Sequence, residues 1–241
     1  MGRMADMTGG NSGDLSGWTS PPRPGWNRID GRYVVLERSD ASRHGDELFA
    51  ANRESDAIWD YLPYGPFGEA AAYRDWLADM AARDDPHFYT LIDKARGKAG
   101  GVASYLRIDT PNGVIEVGHI NLAPVLQRSR AATEAMFLMM RWAFVAGYRR
   151  YEWKCDSRNI PSRRAAERFG FSYEGIFRQA AVVKGRNRDT AWFAVTDKDW
   201  PALRAAYERW LDPENFDAAG RQKLSLAALT HPLLVARDPG V

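Results

Sequence analysis

The run Gln127-Arg128-Ser129-Arg130-Ala131-Ala132 joins a strand-like segment, Ile115 to Pro124, to the start of a long apolar helix. Backbone N–H groups left unpaired at a helix start, together with the helix dipole, favour an anion there. Small Ala131 and Ala132 let a ligand approach the backbone, and Arg128 and Arg130 can pair with phosphate oxygens. Further along, Asn159-x-x-Ser162 precedes Arg168-Phe169-Gly170-Phe171. Each piece also has an ordinary reading, since arginines at a turn are commonly solvated and Asn and Ser favour helix caps and first turns. Taken together, the residue types suit a phosphorylated ligand. The preceding strand adds two groups able to take a proton, Glu116 and His119, which alternation over three residues places on opposite strand faces.

The local charge agrees with an anionic ligand. From Gln127 to Arg168 there are nine arginines and Lys154 against Glu134, Glu152, Asp156 and Glu167, an excess of six positive charges. Over the whole chain the formal net charge is only +2, too balanced for a general nucleic-acid binder.

Several elements must position these residues. The helix from about Ala131 to Gly147 is apolar nearly all round, so it belongs between layers, with Met136, Met139 and Met140 in the core. Arg150 to Cys155 reads as a strand with Tyr151, Trp153 and Cys155 on one face, and Ile160 to Phe169 as a helix. Phe171 to Val183 and Thr190 to Val195 form a hairpin across Lys184-Gly185-Arg186-Asn187, and Asp199 can cap a last helix running to about Leu211.

Upstream, Tyr33 to Leu36 is a first strand, and Ser39 or Asp40 caps a helix from Ala41 to Asn52. An aromatic, proline-broken segment holds Trp59, Tyr61, Tyr64 and Phe67, followed by a helix from about Glu69 to Arg83. His87 to Asp93 and Ala99 to Ile108 make a hairpin, and Pro111-Asn112-Gly113 turns the chain into the strand at Val114. Antiparallel strands with one helical crossover give an α/β (α+β) fold with helices around one sheet.

With 241 residues, 45% of them hydrophobic, the chain supports one well-buried domain with dressed ends. Residues 1–26, rich in Gly, Ser and Pro, are expected to be disordered or extended. A domain over 27–198 and a C-terminal helix and tail over 199–241 follow. The longest apolar run, Ala135 to Ala146, is broken by Arg141 and falls short of the ~18 residues that suggest a membrane span. Without a secretion signal, and with the single Cys155 read as a buried structural thiol, a soluble cytoplasmic protein is expected. No cluster of His and Cys has metal-ligand spacing, so no metal is expected.

From roughly Arg32 to Val195 the chain resembles the GNAT superfamily of acetyl-CoA-dependent N-acetyltransferases. The pairing of Asn159-x-x-Ser162 with Ala165 to Phe171 and Glu174-Gly175 is similar to its ribosomal-protein N-terminal (RimJ/RimL-like) branch. The resemblance implies a GNAT fold, with a centrally splayed strand pair in a mostly antiparallel sheet and helices on both faces, and acetyl-CoA as co-substrate. It implies a pyrophosphate loop of the form Gln/Arg-x-x-Gly-x-Gly/Ala at Gln127, Arg130 and Ala132, with Arg128, Ser129, Ala131 and Thr133 beside it. Arg130 stands where the pattern has glycine, which a side chain tolerates so long as φ stays negative. By the same resemblance Asn159 holds the pantetheine arm, Ser162 lies near the thioester sulfur, Arg168 contributes to the cofactor site, and backbone N–H groups near Ile120, Asn121 and Leu122 meet the oxyanion.

The acceptor side departs from that branch. Its glutamate base corresponds in position to Ala181, which leaves Glu116, eleven residues before Gln127 as in the histone-type members, as the first choice of base and His119 as the second. Trp59, Tyr61, Tyr64 and Phe67 fall where the family builds one wall of the acceptor cleft. An α-amine of pKa ~8 costs roughly 1.4 kcal/mol to present neutral at pH 7, against about 4.6 for a lysine at ~10.4, so a peptide N-terminus or small weakly basic amine asks less of the base. A CoA-binding regulator without catalysis, or a ribosome- or nucleic-acid-associated module using the basic stretch Lys184 to Arg188, are the competing readings. A homodimer through the apolar helices or the tail after Trp210 is compatible with the sequence.

Overall fold

Alternating strand residues supply two separate cores in the computed structural model, which describes Asp14 to Val241; residues 1–13 of the expected N-terminal segment lie outside the described residues. The strands are β1 (Arg28–Asp30), β2 (Val34–Arg38), β3 (His87–Asp93), β4 (Lys98–Asp109), β5 (Val114–Leu122), β6 (Arg150–Asp156), β7 (Ser172–Val183) and β8 (Arg186–Thr196). They form one sheet in the order β1-β2-β3-β4-β5-β6-β8-β7, antiparallel throughout except between β5 and β6. The helices are α1 (Ala41–Asn52), α2 (Ala70–Ala81), α3 (Arg130–Val145), α4 (Ile160–Arg168), α5 (Trp200–Leu211) and α6 (Leu226–Thr230). Helices lie on both faces of the sheet, as expected from the sequence.

On one face, Phe88 and Val102 meet Leu48 of α1 and Tyr73, Leu77 and Met80 of α2. On the other, Tyr89, Ala103, Ile115, Val117, Tyr151, Trp153 and Cys155 pack on α3 and α5. Met136, Met139 and Met140 are all buried in this second layer, as the apolar pattern required. Because β2, β6 and α5 cover α3, that helix is not the free apolar face on which a dimer was considered.

The crossover helix is tied back to the first hairpin by Glu134. Its carboxylate accepts hydrogen bonds from the backbone N–H groups of Arg32, Tyr33 and Val34, at 2.8, 2.6 and 3.0 Å. A Cβ on Gly31 would overlap that carboxylate, which accounts for glycine at the turn. Burying a carboxylate is costly unless its oxygens find donors, and three amides supply them here.

Several boundaries differ from the sequence reading. The first strand begins at Val34, and β1 precedes it, because the turn pinned by Glu134 folds Arg28–Asp30 back along β2. The last hairpin turns through Lys184 and Gly185 alone, both with positive φ (49° and 72°), the geometry whose twist matches paired strands, so β8 starts at Arg186. Asp199 does not cap α5 with its side chain; its carboxylate is engaged by the amide and hydroxyl of Thr196.

Described residues on either side of the domain lie against it. Trp26 stacks on Tyr89 with ring centroids 3.6 Å apart, and Tyr148 donates to the Pro22 carbonyl. At the other end Arg163 of α4 pairs with Asp238 (Nε–Oδ2 2.7 Å), both side chains being buried, while the Asp238 amide donates to Glu167 at 2.6 Å. Arg163 also donates to the Ser157 carbonyl at 2.8 Å, which ties the tail to the loop before α4. Removing one member of a buried ion pair strands the other charge. Asp238→Ala is therefore expected to lower stability by about 3 kcal/mol in denaturant unfolding, whereas Asp79→Ala, in an exposed pair with Arg83, should change it by less than about 1.

Candidate active site

Strands β5 and β6 pair in parallel over only four positions, Val114 with Arg150 through Val117 with Trp153. Beyond these β6 remains paired with β8 as far as Asp156, while β5 remains paired with β4 as far as Leu122. The two strands therefore diverge, and residues 118–122 have no ladder partner on the β6 side. This is the expected splay.

A bulge sharpens it. Between Val102–Asn121 and Ser104–Gly118 the register of β4 and β5 slips, and His119 takes a positive φ of 50°. A bulge turns side chains from the faces that simple alternation assigns. The expectation that His119 and Glu116 lie on opposite faces is thereby overturned. Glu116 alternates with Ile115 and Val117 and so faces the α1/α2 side, where His119 also packs, against Tyr64 and Phe88. Asn121 lies on the same face; it is 1% exposed, and both ends of its carboxamide lack a hydrogen-bond partner among the described residues.

Glu116 sits in a buried network of charge. Its carboxylate is 2.9 Å from the Lys154 ammonium and 3.2 Å from Arg107, and Lys154 also reaches Glu152 at 2.6 Å. Burial pushes the Glu116 carboxyl above its ordinary range, with the Lys154 and Arg107 charges partly opposing that shift. His119 is hydrogen-bonded through Nδ1 to the Tyr64 hydroxyl at 2.9 Å, and burial, helped by the Arg107 charge, pulls its pKa down to about 4. At neutral pH this imidazole carries no charge and is a weak base.

On the opposite face the start of α3 and the start of α4 flank the same opening. Ser129 caps α3, accepting from the Ala132 amide at 3.0 Å and donating to the Leu126 carbonyl at 2.7 Å. The amides of Arg130 and Ala131 have no acceptor among the described residues. The left-handed residue of the loop is Arg128 (φ 58°), not Arg130, which begins the helix, so the side chain at the expected glycine position brings no backbone strain. Gln127 folds back on the Leu122 carbonyl at 3.0 Å.

The Arg130 side chain is placed by aromatic stacking. Its guanidinium lies between the rings of Tyr33 and Phe216, 4.8 and 4.7 Å from their centroids, because the pinned β1–β2 turn and the C-terminal segment both close on the start of α3. Arg168 is a cation without a carboxylate partner among the described residues, donating to the Thr133 hydroxyl at 3.3 Å. Burial lowers its pKa. Asn159 caps α4 by accepting from the Ser162 amide at 3.1 Å, and the Ser162 hydroxyl accepts from Trp153 Nε1 at 3.1 Å. The Cys155 thiol is buried, and burial pushes its pKa up to about 11.

The four aromatic residues separate. Trp59 is 3% exposed and, with Phe67, packs among Tyr73 and Trp76 in the α1/α2 core rather than forming an open wall. Tyr64 reaches His119, and Tyr61 donates to the Arg158 carbonyl at 3.3 Å across the opening. Sequence reasoning missed Lys154, whose strand alternation with Trp153 and Cys155 was the available signal. It also missed the contact of Lys184 with the Trp59 carbonyl at 3.0 Å, which nothing local in the sequence announces.

Residues 35–172 match the family model described as an acetyltransferase (GNAT) domain. The chain belongs to the GNAT acetyltransferase family. A crystal structure of a GCN5-related N-acetyltransferase from Brucella melitensis is 53% identical, with a TM-score of 0.88 over 90% of this chain and 99% of that one. A probable GNAT-family acetyltransferase from Chromobacterium violaceum is 44% identical, with a TM-score of 0.75 over 84% and 100%. An uncharacterized N-acetyltransferase, p20, from Bacillus licheniformis is 24% identical over 59% of this chain and 82% of its own. The protein is thus an acetyltransferase of a family that uses acetyl-CoA.

Since the acetyltransferase holds His119 near pKa 4, against 6.5 when unfolded, the unfolded chain binds the extra proton between those values. Its contribution to stability is present above about pH 6.5 and lost as pH falls towards 4. Urea unfolding at pH 7 and pH 5 should show a smaller loss on acidification in His119→Phe than in wild type, and imidazole nitrogen shifts at pH 5.5 should report a neutral ring.

Proposed function

We propose that this acetyltransferase moves an acetyl group from acetyl-CoA to a primary amine, a peptide N-terminus or small amine, by direct attack. The observation that carries the reading is the four-residue pairing of β5 with β6, which opens unpaired backbone between a helix start with free amides and a face bearing Glu116. The residues present suit a phosphorylated acyl carrier: free Arg130 and Ala131 amides, small Ala132, and the carboxylate-free Arg168 on the side of α3 and α4. Asn159 would hold the pantetheine arm.

On the far face, the acceptor amine would meet the acetyl carbonyl. Glu116, whose pKa burial raises, takes the proton the nitrogen loses as the C–N bond forms, directly or through water, and the adjoining Lys154 and Glu152 keep the network's charge balanced. Unpaired N–H groups within Ile120 to Leu122 stabilise the oxyanion. The Ser162 hydroxyl, accepting from Trp153, still has its O–H free to donate a hydrogen bond to the sulfur, which leaves as the thiolate when the C–S bond breaks. His119, neutral and tied to Tyr64, positions the cleft instead of acting as base.

The Asn159-x-x-Ser162 and Arg168-Phe169-Gly170-Phe171 pairing favours a place beside the RimJ/RimL-like branch, and the single cysteine suits a cytoplasmic setting. CoA release with a panel of peptides, polyamines, aminoglycosides and amino acids tests the reaction. Glu116→Gln should lower kcat by about 10²-fold or more, and Ser162→Ala by less, with acetyl-CoA affinity retained in both. Undiminished turnover in the double Glu116→Ala/Ser162→Ala variant would sink the mechanism.

A further inference from the structure

The hairpin β7–β8 carries the basic stretch Lys184 to Arg188, and one member of it is placed differently from the rest. Along β8, Ala191, Phe193 and Val195 belong to the α3/α5 core, so Arg188, Thr190 and Trp192 face the α1/α2 side, where Glu116 and His119 also lie. Arg188 is only partly exposed, and its Nε is buried with no hydrogen-bond partner. Among the described residues it forms no ion pair. Its cross-strand neighbour on β7 is Ala181, which offers no acceptor.

The nearby carboxylates are taken. Asp156 is held by Arg158 through both oxygens, at 3.1 and 2.8 Å, and Glu116 and Glu152 by Lys154. Thr190 pairs with Asp156, the last residue of β6, so Arg188, two residues further along β8, lies past the end of β6, on the side where β5 and β6 part. The same face holds two further buried donors without acceptors, Trp192 Nε1 and Asn121 Nδ2. Buried polar groups are nearly always satisfied, so a face with the unpartnered Arg188 guanidinium, Trp192 Nε1 and Asn121 carboxamide lacks a polar partner, and the positive charge of Arg188 calls for a negative one.

We propose that the acceptor is an amine that carries a carboxylate, and that Arg188 binds this carboxylate beside the acetyl-transfer site. The proposal rests on the acetyltransfer reading above and adds the class of acceptor. A guanidinium pairs with a carboxylate through two parallel hydrogen bonds, so Arg188 would fix the orientation of the amine as well as select it. Lys184 and Arg186 at the hairpin tip add attraction at longer range.

Matched acceptors test this: free amino acids, and acidic dipeptides, each against its carboxamide. The amide of an amino acid has the less basic amine and is the readier nucleophile near pH 7, so amine basicity alone favours the amide. Wild type is expected to prefer the acid in kcat/KM by about 10- to 100-fold, and the preference should shrink as salt is raised. In Arg188→Gln the acid-to-amide ratio should fall towards one or below while the KM for acetyl-CoA is kept; Arg188→Lys should retain part of the preference. Affinities of the same pairs for the CoA-bound protein, measured by calorimetry, read the carboxylate contact independently of turnover. Equal use or equal binding of acid and amide by wild type, or an unchanged ratio in Arg188→Gln, overturns the assignment of Arg188. Acid-selective binding without CoA release would keep that assignment and overturn the acetyltransfer reading instead.

Discussion

Strand β5 has to satisfy two partners of opposite direction, and it can do so for only four residues. Its antiparallel ladder with β4 runs from Val114 to Leu122, but the parallel ladder with β6 stops at Val117 and Trp153. Parallel neighbours need a helical crossover, and α3 supplies it, which places a helix N-terminus directly above the parting strands. The opening, the free backbone groups along it and the anion-favouring amides of Arg130 and Ala131 all follow from that one connection.

The bulge at His119 then decides what faces the opening. Without it, alternation would send the imidazole into the α3 core, where a polar ring would lack partners. With it, Glu116, His119 and Asn121 share a face with Lys154 and Arg188, and the aromatic segment after α1 closes against them through Tyr64 and Tyr61. On this face the buried carboxylates are each paired, Glu116 with Lys154 and Arg107, Glu152 with Lys154 and Arg150, and Asp156 with the exposed Arg158, while Arg188 has no carboxylate partner among the described residues. Charge buried in this way contributes little to net stability, so its retention accords with a role in handling protons and charged ligands.

The starts of α3 and α4 are held by residues that lie outside the family's matched span of residues 35–172. Arg32 and Tyr33 give amides to Glu134, Phe216 covers Arg130, and Asp238 anchors Arg163 at the start of α4. Segments before residue 35 and after residue 172 thus brace the two helix starts beside the opening.

Local pattern determined most of the fold. Apolar periodicity marked α3 and both core layers, proline and glycine marked the turns, and the spacing from Gln127 to Phe171 carried the family resemblance, because these signals depend on neighbours within a few residues. Three things depended on residues far apart in sequence and only the tertiary structure decided them. Register slippage against β4 turned His119 to the face of Glu116; packing of Tyr33 and Phe216 fixed the Arg130 guanidinium between two rings; and the pairing of Arg158 with Asp156 and of Lys154 with Glu116 and Glu152 left Arg188 without a partner. A side chain's charge is written in the sequence, but whether that charge is already spent is set by which other side chains the fold brings within hydrogen-bond reach.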